Sequence, residues 1–330
     1  MKVLLVCERS GGHVFPALSV GKKLRKRGDD VCFFVTSGFL KSYIEKEGFR
    51  VVGRSFASRN LLFEGLWRFF EALILVLTLR PKKVIGFGGR DSFFLVLLSS
   101  LLPINTIIYE PNIKPGKANK VLSFFVDKVL WGFEIGIPMR ENIRTIDKAA
   151  ARKILNFDQR PIVFCLGGSQ GSSFINQIFM KFVQSAENNF QIIHLTGREG
   201  YSDILKLYDN IAKNSFVKDF HYEVELLYSA ADIVISRAGA NTLGELAYYK
   251  LPSVLIPYPK AGAHQKENAF YFKEKGAAFV RLQDNFSFND FSTLLKKLIE
   301  DNNLRESIKE NLSGFKLGVS FEDFCNSVHF

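Results

Sequence analysis

The chain has 330 residues, enough for two domains of ordinary size. With 47% apolar and 23% charged residues it is a globular protein, which excludes a disordered one. A formal net charge of +11 calls for an anionic partner, and nucleic acid, an anionic membrane surface and a nucleotide phosphate all meet that need.

Cys7, Cys32, Cys165 and Cys325 are far apart and form no CxxC pair, so neither a metal framework nor a disulfide scaffold is expected, and a reducing compartment fits. The N-terminal apolar run is too short for a signal peptide and reads as a strand. No run reaches the ~18 apolar residues of a membrane span. Val3 to Cys7 is the first expected strand. Ser10-Gly11-Gly12-His13 then reads as a glycine turn feeding a helix from Pro16. Such a turn lies at the carboxyl edge of a parallel sheet, where α/β proteins bind ligands. His13 on that turn is a candidate functional histidine, and the helix dipole there disfavours an imidazolium. Lys22, Lys23, Arg25, Lys26 and Arg27 read as the solvated end of the same helix.

Val31 to Thr36 and the residues up to Val52 are the next strands. Residues 61–80 follow as a helix in which Phe63, Leu66, Trp67, Phe70, Leu73 and Leu77 recur at helical spacing. Leu62, Phe69, Ile74 and Val76 widen the apolar face beyond one stripe. Two readings fit this helix: a buried core element, or an interfacial helix beside the basic rim of Arg68, Arg80, Lys82 and Lys83. The strand at Lys83 to Gly86 runs into Gly86-Phe-Gly-Gly89-Arg90, a second glycine turn, and a helix from Phe93. Thr106 to Tyr109 ends at Glu110-Pro-Asn112, which puts a carboxylate and an amide at the same sheet edge. Val126 to Trp131 closes this half.

Residues 141–160 are polar and read as a connection between domains spanning 1–140 and 161–330. A new sheet starts at Pro161 to Leu166 and runs into Gly167-Gly-Ser-Gln-Gly171. This third glycine turn is neither GxGxxG nor a Walker A loop. Strands at 191–195 and 216–220 precede a helix from Glu223. Asp232 to Tyr258 then reads as strand, small-residue turn, helix and strand, one βαβ unit. A helix starting past a strand's carboxyl end offers its first amides and positive dipole to a phosphate. Thr242-x-x-Glu245 on that helix has two readings: a capping box, or a carboxylate that accepts hydrogen bonds from a ribose 2′,3′-diol. The class expected is α/β, with two doubly wound Rossmann-like domains facing each other across a cleft.

The motifs SGGHVFPAL (10–18), GFGG (86–89), YEPNIKPGKANK (109–120), GIPMR (136–140), LGGSQGSSFIN (166–176), SRAGANTLGELA (236–247) and HQKEN (264–268) occur in the order of one family. Through them the chain resembles the MurG family, the N-acetylglucosaminyltransferases that convert lipid I to lipid II in peptidoglycan synthesis. The resemblance implies the GT-B fold, UDP-GlcNAc as donor, the polyprenyl-diphosphate-linked muramyl acceptor lipid I, and peripheral attachment to an anionic membrane at its cytoplasmic face. Nucleic acid is not an implied partner, and no cofactor or metal is expected.

The implied donor-binding residues are Ser10, Gly11, Gly12, Asn112, Arg140, Ser169, His221, Ala240, Asn241, Thr242, Leu243, Gly244, Glu245 and Gln265. In these roles Glu245 holds the ribose, Ser169 and the helix from Ala240 hold the diphosphate, and Gln265 touches the sugar. His13 is the expected general base, with Glu110 the alternative. The departures from the family pattern gather on the N-terminal loops, at Glu8, Arg9, Arg90, Asp91, Pro111 and Ile137, so the acceptor is less closely specified than the donor. The rival readings are a transferase with another lipid or glycan acceptor, a UDP-sugar hydrolase or epimerase of related fold, and a non-catalytic membrane-surface protein. The last leaves the donor loops unexplained.

Overall fold

The computed structural model describes the chain except residues 8–10, 37, 55–60, 91, 140–142, 169–170, 188, 199–200, 209–210, 212–213, 261–262, 321 and 325–330. It divides into two compact units, Met1–Glu141 with Val319–Phe330, and Asn142–Gly318. In unit 1 the order is β1 (Lys2–Val6), α1 (Gly11–Lys26), β2 (Asp30–Phe34), α2 (Gly38–Lys46), β3 (Arg50–Val52), α3 (Leu61–Leu79), β4 (Lys83–Gly86), α4 (Phe93–Ser100), β5 (Asn105–Glu110), α5 (Lys117–Leu122), β6 (Lys128–Trp131), α6 (Gly132–Ile135) and β7 (Ile137–Pro138). Its six-stranded sheet is parallel throughout, in the order β3-β2-β1-β4-β5-β6. The order reverses between β1 and β4, and a doubly wound sheet binds its ligands at the carboxyl ends beside such a switch point.

Both faces of this sheet are covered, so its strands are apolar on both sides. Val3 and Leu5 face a core with Val14, Ala17, Leu18, Val20 and Leu24 of α1 and Leu40 and Ile44 of α2. Leu4 and Val6 face the opposite core, with Ala72, Val76 and Leu79 of α3, Leu95 and Val96 of α4 and Leu122 of α5. The C-terminal segment belongs to this unit: Met139 N–H donates to the Val319 carbonyl at 3.0 Å, and the Phe324 ring meets Tyr109 edge-on at 5.5 Å.

Two expectations need correction here. The helix after β1 starts at Gly11, not Pro16, so His13 sits in its first turn and no glycine turn precedes it within the described residues. Glycine follows helical as readily as turn geometry, so its presence alone did not mark a boundary. The second correction concerns α3, which buries an ion pair on the same side as its apolar core contacts and carries a second apolar stripe outward. Glu64 and Arg68 are buried on the inward side beside Ala72, Val76 and Leu79. Arg68 pairs with Glu71 at 2.6 Å, and the two grip the backbone of Arg54 just beyond β3, Arg68 through its carbonyl at 2.9 Å and Glu71 through its amide at 2.8 Å. Leu62, Phe63, Leu66, Phe70, Ile74 and Leu77 point outward, each 56% to 80% exposed. Trp67 is half-buried. Neither a wholly buried helix nor a basic rim containing Arg68 describes this element. Among the described residues no helix is long and apolar enough to cross a membrane.

Unit 2 continues with α7 (Lys148–Ile154), β8 (Ile162–Leu166), α8 (Ser173–Ser185), β9 (Gln191–Leu195), α9 (Tyr201–Tyr208), β10 (Ser215–Lys218), α10 (Val224–Ala230), β11 (Ile233–Ser236), α11 (Ala240–Tyr248), β12 (Ser253–Leu255), α12 (His264–Glu274), β13 (Phe279–Val280), α13 (Phe288–Glu300) and α14 (Asn302–Ser313). Its sheet, β10-β9-β8-β11-β12-β13, is again parallel and repeats the topology of unit 1, with the switch point between β8 and β11. The polar segment ahead of β8 is part of this unit. Asp232 accepts from Arg152 at 2.5 Å, from the Ile162 amide at 2.7 Å and from Lys148, which fastens α7 to the sheet.

A buried polar chain runs behind this sheet. Asn176 donates through Nδ2 to the Thr196 carbonyl at 2.9 Å, so its Oδ1 is the acceptor that faces Nε2 of His194 at 3.1 Å. The imidazole therefore carries its proton on Nε2 and accepts from the Tyr208 hydroxyl through Nδ1 at 2.9 Å. Burial pushes the His194 pKa down from its ordinary 6.5 to about 3. The folded ring stays neutral where the unfolded ring takes up a proton. Its contribution to stability is complete above pH 6.5 and is lost as pH falls toward 3. At roughly 1.4 kcal/mol per pH unit, wild type should lose roughly 2 kcal/mol more stability than His194→Gln between pH 7.5 and pH 5.0. Urea unfolding at the two pH values measures this, and parallel losses in both proteins would remove His194 as the cause.

Candidate functional site

Each unit assembles a site at the carboxyl edge of its own sheet. In unit 2, β8 runs into Gly167–Ser172 and β11 into Arg237–Gly239, the two loops of the switch point. Gly171 has φ +81°, and a Cβ there would stand 2.3 Å from the Thr196 carbonyl oxygen, so only glycine fits this close approach. Ser172 caps α8 by accepting from the Ile175 amide at 3.4 Å.

Helix α11 begins at Ala240, with Gly239 as N-cap and no side-chain cap. The first bond of its ladder runs from the Leu243 amide to the Gly239 carbonyl, 3.0 Å. The amides of Ala240, Asn241 and Thr242 lie ahead of that ladder at the positive end of the dipole. This corrects the capping-box reading. Thr242 is the third helical residue and Glu245 the sixth, so Thr242 is not the N-cap and Glu245 lies in the second turn. The run of small residues at 238–241 lets the helix start earlier than the polar Thr suggests. Glu245 is half-buried and its Oε2 accepts from the Tyr228 hydroxyl at 2.8 Å. Leu243 is wholly buried and packs in the core.

Arg237 binds these loops together. Its guanidinium donates to the Ser172 hydroxyl at 2.8 Å, to the carbonyls of Ile256 and Pro257 at 3.1 and 3.2 Å, and to Gln283 at 2.9 Å, and it lies 5.2 Å from the Tyr258 ring centroid. Burial lowers its pKa from the ordinary arginine value. Gln265, the second residue of α12, accepts from the Tyr258 amide at 2.9 Å and so fixes the neighbouring loop. Wholly buried Asn268 donates to the Ala238 carbonyl at 3.3 Å. His221 lies beyond β10 with its ring edge-on to Phe216 at 5.4 Å, and its buried Nε2 has no hydrogen-bond partner among the described residues.

In unit 1 the corresponding edge brings His13, Gly88, Glu110, Asn112 and Asn119 together. A Cβ on Gly88 would lie 3.5 Å from Nε2 of His13 and 3.4 Å from Nδ2 of Asn119, and Gly88 holds φ +91°. Glu110 is 3% exposed, and its carboxylate clasps the loop that follows it. Oε1 accepts from the amide and Nδ2 of Asn112 at 3.0 and 2.9 Å. Oε2 accepts from the Gly116 amide and Asn119 Nδ2, both at 3.0 Å. Gly11 and Gly12 lie in the first turn of α1. Ser10, Arg140 and Ser169, together with Glu8, Arg9 and Asp91, lie outside the described residues.

Arg237, Tyr228, Asn119 and Asn268 escaped the sequence reading. All but Tyr228 stand inside the quoted motifs, and a buried polar residue beside a glycine turn is the signal that marks them.

Residues 162–320 match the glycosyltransferase family 28 C-terminal domain, and residues 4–131 match the glycosyltransferase family 28 N-terminal domain. The UDP-N-acetylglucosamine–N-acetylmuramyl-(pentapeptide) pyrophosphoryl-undecaprenol N-acetylglucosamine transferase of Halothermothrix orenii is 33% identical over 91% of each chain. That of Caldanaerobacter subterraneus subsp. tengcongensis is 30% identical over 94% of each. The crystal structure of Acinetobacter baumannii MurG superimposes with a TM-score of 0.77 at 25% identity, covering 94% of this chain and 93% of that one. The kitacinnamycin glycotransferase, at 13% identity and a TM-score of 0.71, shares the fold.

Arg237→Lys keeps the charge but loses the planar fork that reaches several acceptors at once. It should destabilise the protein by on the order of 2–3 kcal/mol. Urea unfolding reads this, and an unchanged midpoint would mean that the clamp holds nothing that solvent cannot replace.

Proposed function

This chain belongs to glycosyltransferase family 28, among the MurG transferases, and from that membership we propose that it moves N-acetylglucosamine from UDP-GlcNAc to the muramyl 4-hydroxyl of lipid I, forming lipid II. The observation that carries the reading at the level of chemistry is the α11 N-terminus without a side-chain cap, with Glu245 one turn further along. A diphosphate suits the amide end of a helix, and a ribose diol suits a carboxylate beside it. Gln265 and His221 are the proposed contacts for the sugar and the uridine. Ser10, Gly11, Gly12, Asn112, Arg140 and Ser169 complete the proposed donor set.

The transfer is a single displacement. The 4-hydroxyl oxygen attacks C1 of GlcNAc, the bond from C1 to the UDP oxygen breaks, and the configuration inverts. The hydroxyl proton goes to a base, and the negative charge collects on the leaving diphosphate. The α11 dipole stabilises that charge. His13 is the proposed base. Glu110 is the weaker choice, because four hydrogen bonds already engage its carboxylate and its loss would undo the 110–119 loop.

The direct test is to incubate the pure protein with UDP-GlcNAc, with and without lipid I, and follow UDP and free sugar. UDP release that requires lipid I supports transfer, whereas free sugar formed without acceptor would make it a hydrolase. In the same assay His13→Ala should cut turnover by about 10²–10⁴-fold, the usual contribution of a positioned base, with UDP binding nearly unchanged. Glu110→Ala should lower thermal stability as well as activity. A stable Glu110→Ala protein more damaged in turnover than His13→Ala would reverse the two roles.

The outward apolar stripe of α3 is the proposed membrane contact. Lys117 and Lys120 stand exposed on α5 beside exposed Val121 and Phe124, and Arg80 and Lys82 are exposed past the end of α3. Apolar side chains flanked by lysine and arginine suit the interface of an anionic bilayer, and the attachment proposed is peripheral, at the cytoplasmic face. The protein should pellet with phosphatidylglycerol vesicles and be partly released by salt. Phe63→Ser with Phe70→Ser should weaken binding at low and high salt alike, since each ring contributes up to about 1.5–3 kcal/mol on burial. Wild-type binding by this variant would show that the stripe is not the anchor.

A further inference from the structure

Glu245 is a long side chain on a helix surface, and a carboxylate reads a diol well only if it is held still beforehand. The hydroxyl that holds it comes from Tyr228, on α10. Tyr228 is 2% exposed. Its ring is fixed on two sides, edge-on to Phe164 at 5.1 Å and stacked on Tyr249 at 5.3 Å with 17° between the planes. Tyr249 is itself tied down, its hydroxyl donating to the Arg144 carbonyl at 3.0 Å. The Tyr228 hydroxyl therefore has one position, set by packing, and it donates to Glu245 Oε2 at 2.8 Å.

We propose that Tyr228 is the positioning residue for ribose recognition: its buried hydroxyl fixes the Glu245 carboxylate as the acceptor for the 2′- and 3′-hydroxyls of a uridine diphosphate ligand, and so sets the preference for ribo- over deoxyribonucleotides. This rests on the reading that Glu245 receives the ribose. A fixed carboxylate loses less side-chain entropy when the ligand binds.

The proposed contact is to the ribose hydroxyls and not to the diphosphate, which separates the proposal from a role in packing alone. A residue needed only for folding would weaken every nucleotide alike. A residue acting through Glu245 changes the response to one hydroxyl.

The experiment is calorimetric titration of the full chain with UDP and with 2′-deoxy-UDP, for wild type, Tyr228→Phe and Glu245→Gln. Tyr228→Phe removes one oxygen and preserves the ring, and a melting curve confirms that it is folded. Wild type should bind UDP about tenfold or more tighter than 2′-deoxy-UDP, the scale of a hydrogen bond to a charged group. Tyr228→Phe should bring that ratio down to about two or three by weakening UDP, and Glu245→Gln should do the same. The double variant should be no worse than Glu245→Gln alone, because the two residues act as one unit. If Glu245→Gln collapses the ratio and Tyr228→Phe leaves it intact, the positioning role is overturned and the ribose reading stands. If Glu245→Gln leaves the ratio unchanged, the ribose reading fails and the proposal falls with it. Equal loss of both nucleotides in Tyr228→Phe would reduce the tyrosine to a packing residue.

Discussion

A parallel strand cannot be joined to its neighbour by a tight hairpin, so each connection must cross over the sheet, and here helices make those crossings. Each crossing begins at the carboxyl edge, which brings every loop that leaves a strand to the same side. Two sheets with the same strand order meet this constraint twice, and at each switch point the loops leave neighbouring strands in opposite directions. The amides at the start of α11 and the first turn of α1 owe their positions to this rule before any side chain is considered.

Side chains then hold those loops at fixed positions, and the means is a buried polar group given enough partners. Arg237 reaches acceptors on three segments through one planar group. Glu110 does the reverse, collecting donors from Asn112, Gly116 and Asn119 around one carboxylate. Burying either charge alone would be costly, and the satisfied network offsets that cost while fixing the loop. Gly171 brings its backbone close to Thr196 next to Ser172, which Arg237 holds, and Gly88 lies against the side chains of Asn119 and His13.

Helix α3 shows the same economy used outward. Its ion pair is turned in and closed on the backbone of Arg54, while Leu62, Phe63, Leu66, Phe70 and Leu77 are turned out. In water alone that arrangement costs free energy, because the apolar stripe gains nothing from exposure. It becomes favourable where a second apolar phase meets the surface, and the lysines of α5 lie beside apolar residues that face outward as well.

The alternation of apolar strands with glycine turns and helices determined the α/β class and both doubly wound sheets, because a fully buried parallel strand requires an unbroken apolar run that local composition records. The order of the motifs along the chain determined the family for the same reason: each is a local run of residues. Helix starts were less legible. Gly11 opens a helix that composition placed at Pro16, and Ala240 opens one that the capping-box reading started after Thr242, since glycine and alanine favour no single side of such a boundary. Which of the two apolar stripes of α3 meets the sheet was not in its own sequence, because both recur at helical spacing. The inward one carries Ala72, Val76 and Leu79, and beside it Arg68 and Glu71 meet the carbonyl and amide of Arg54. Tertiary structure likewise decided the partners of Arg237 and Tyr228, whose hydrogen bonds link segments that only the folded sheet brings within 3 Å or so of one another.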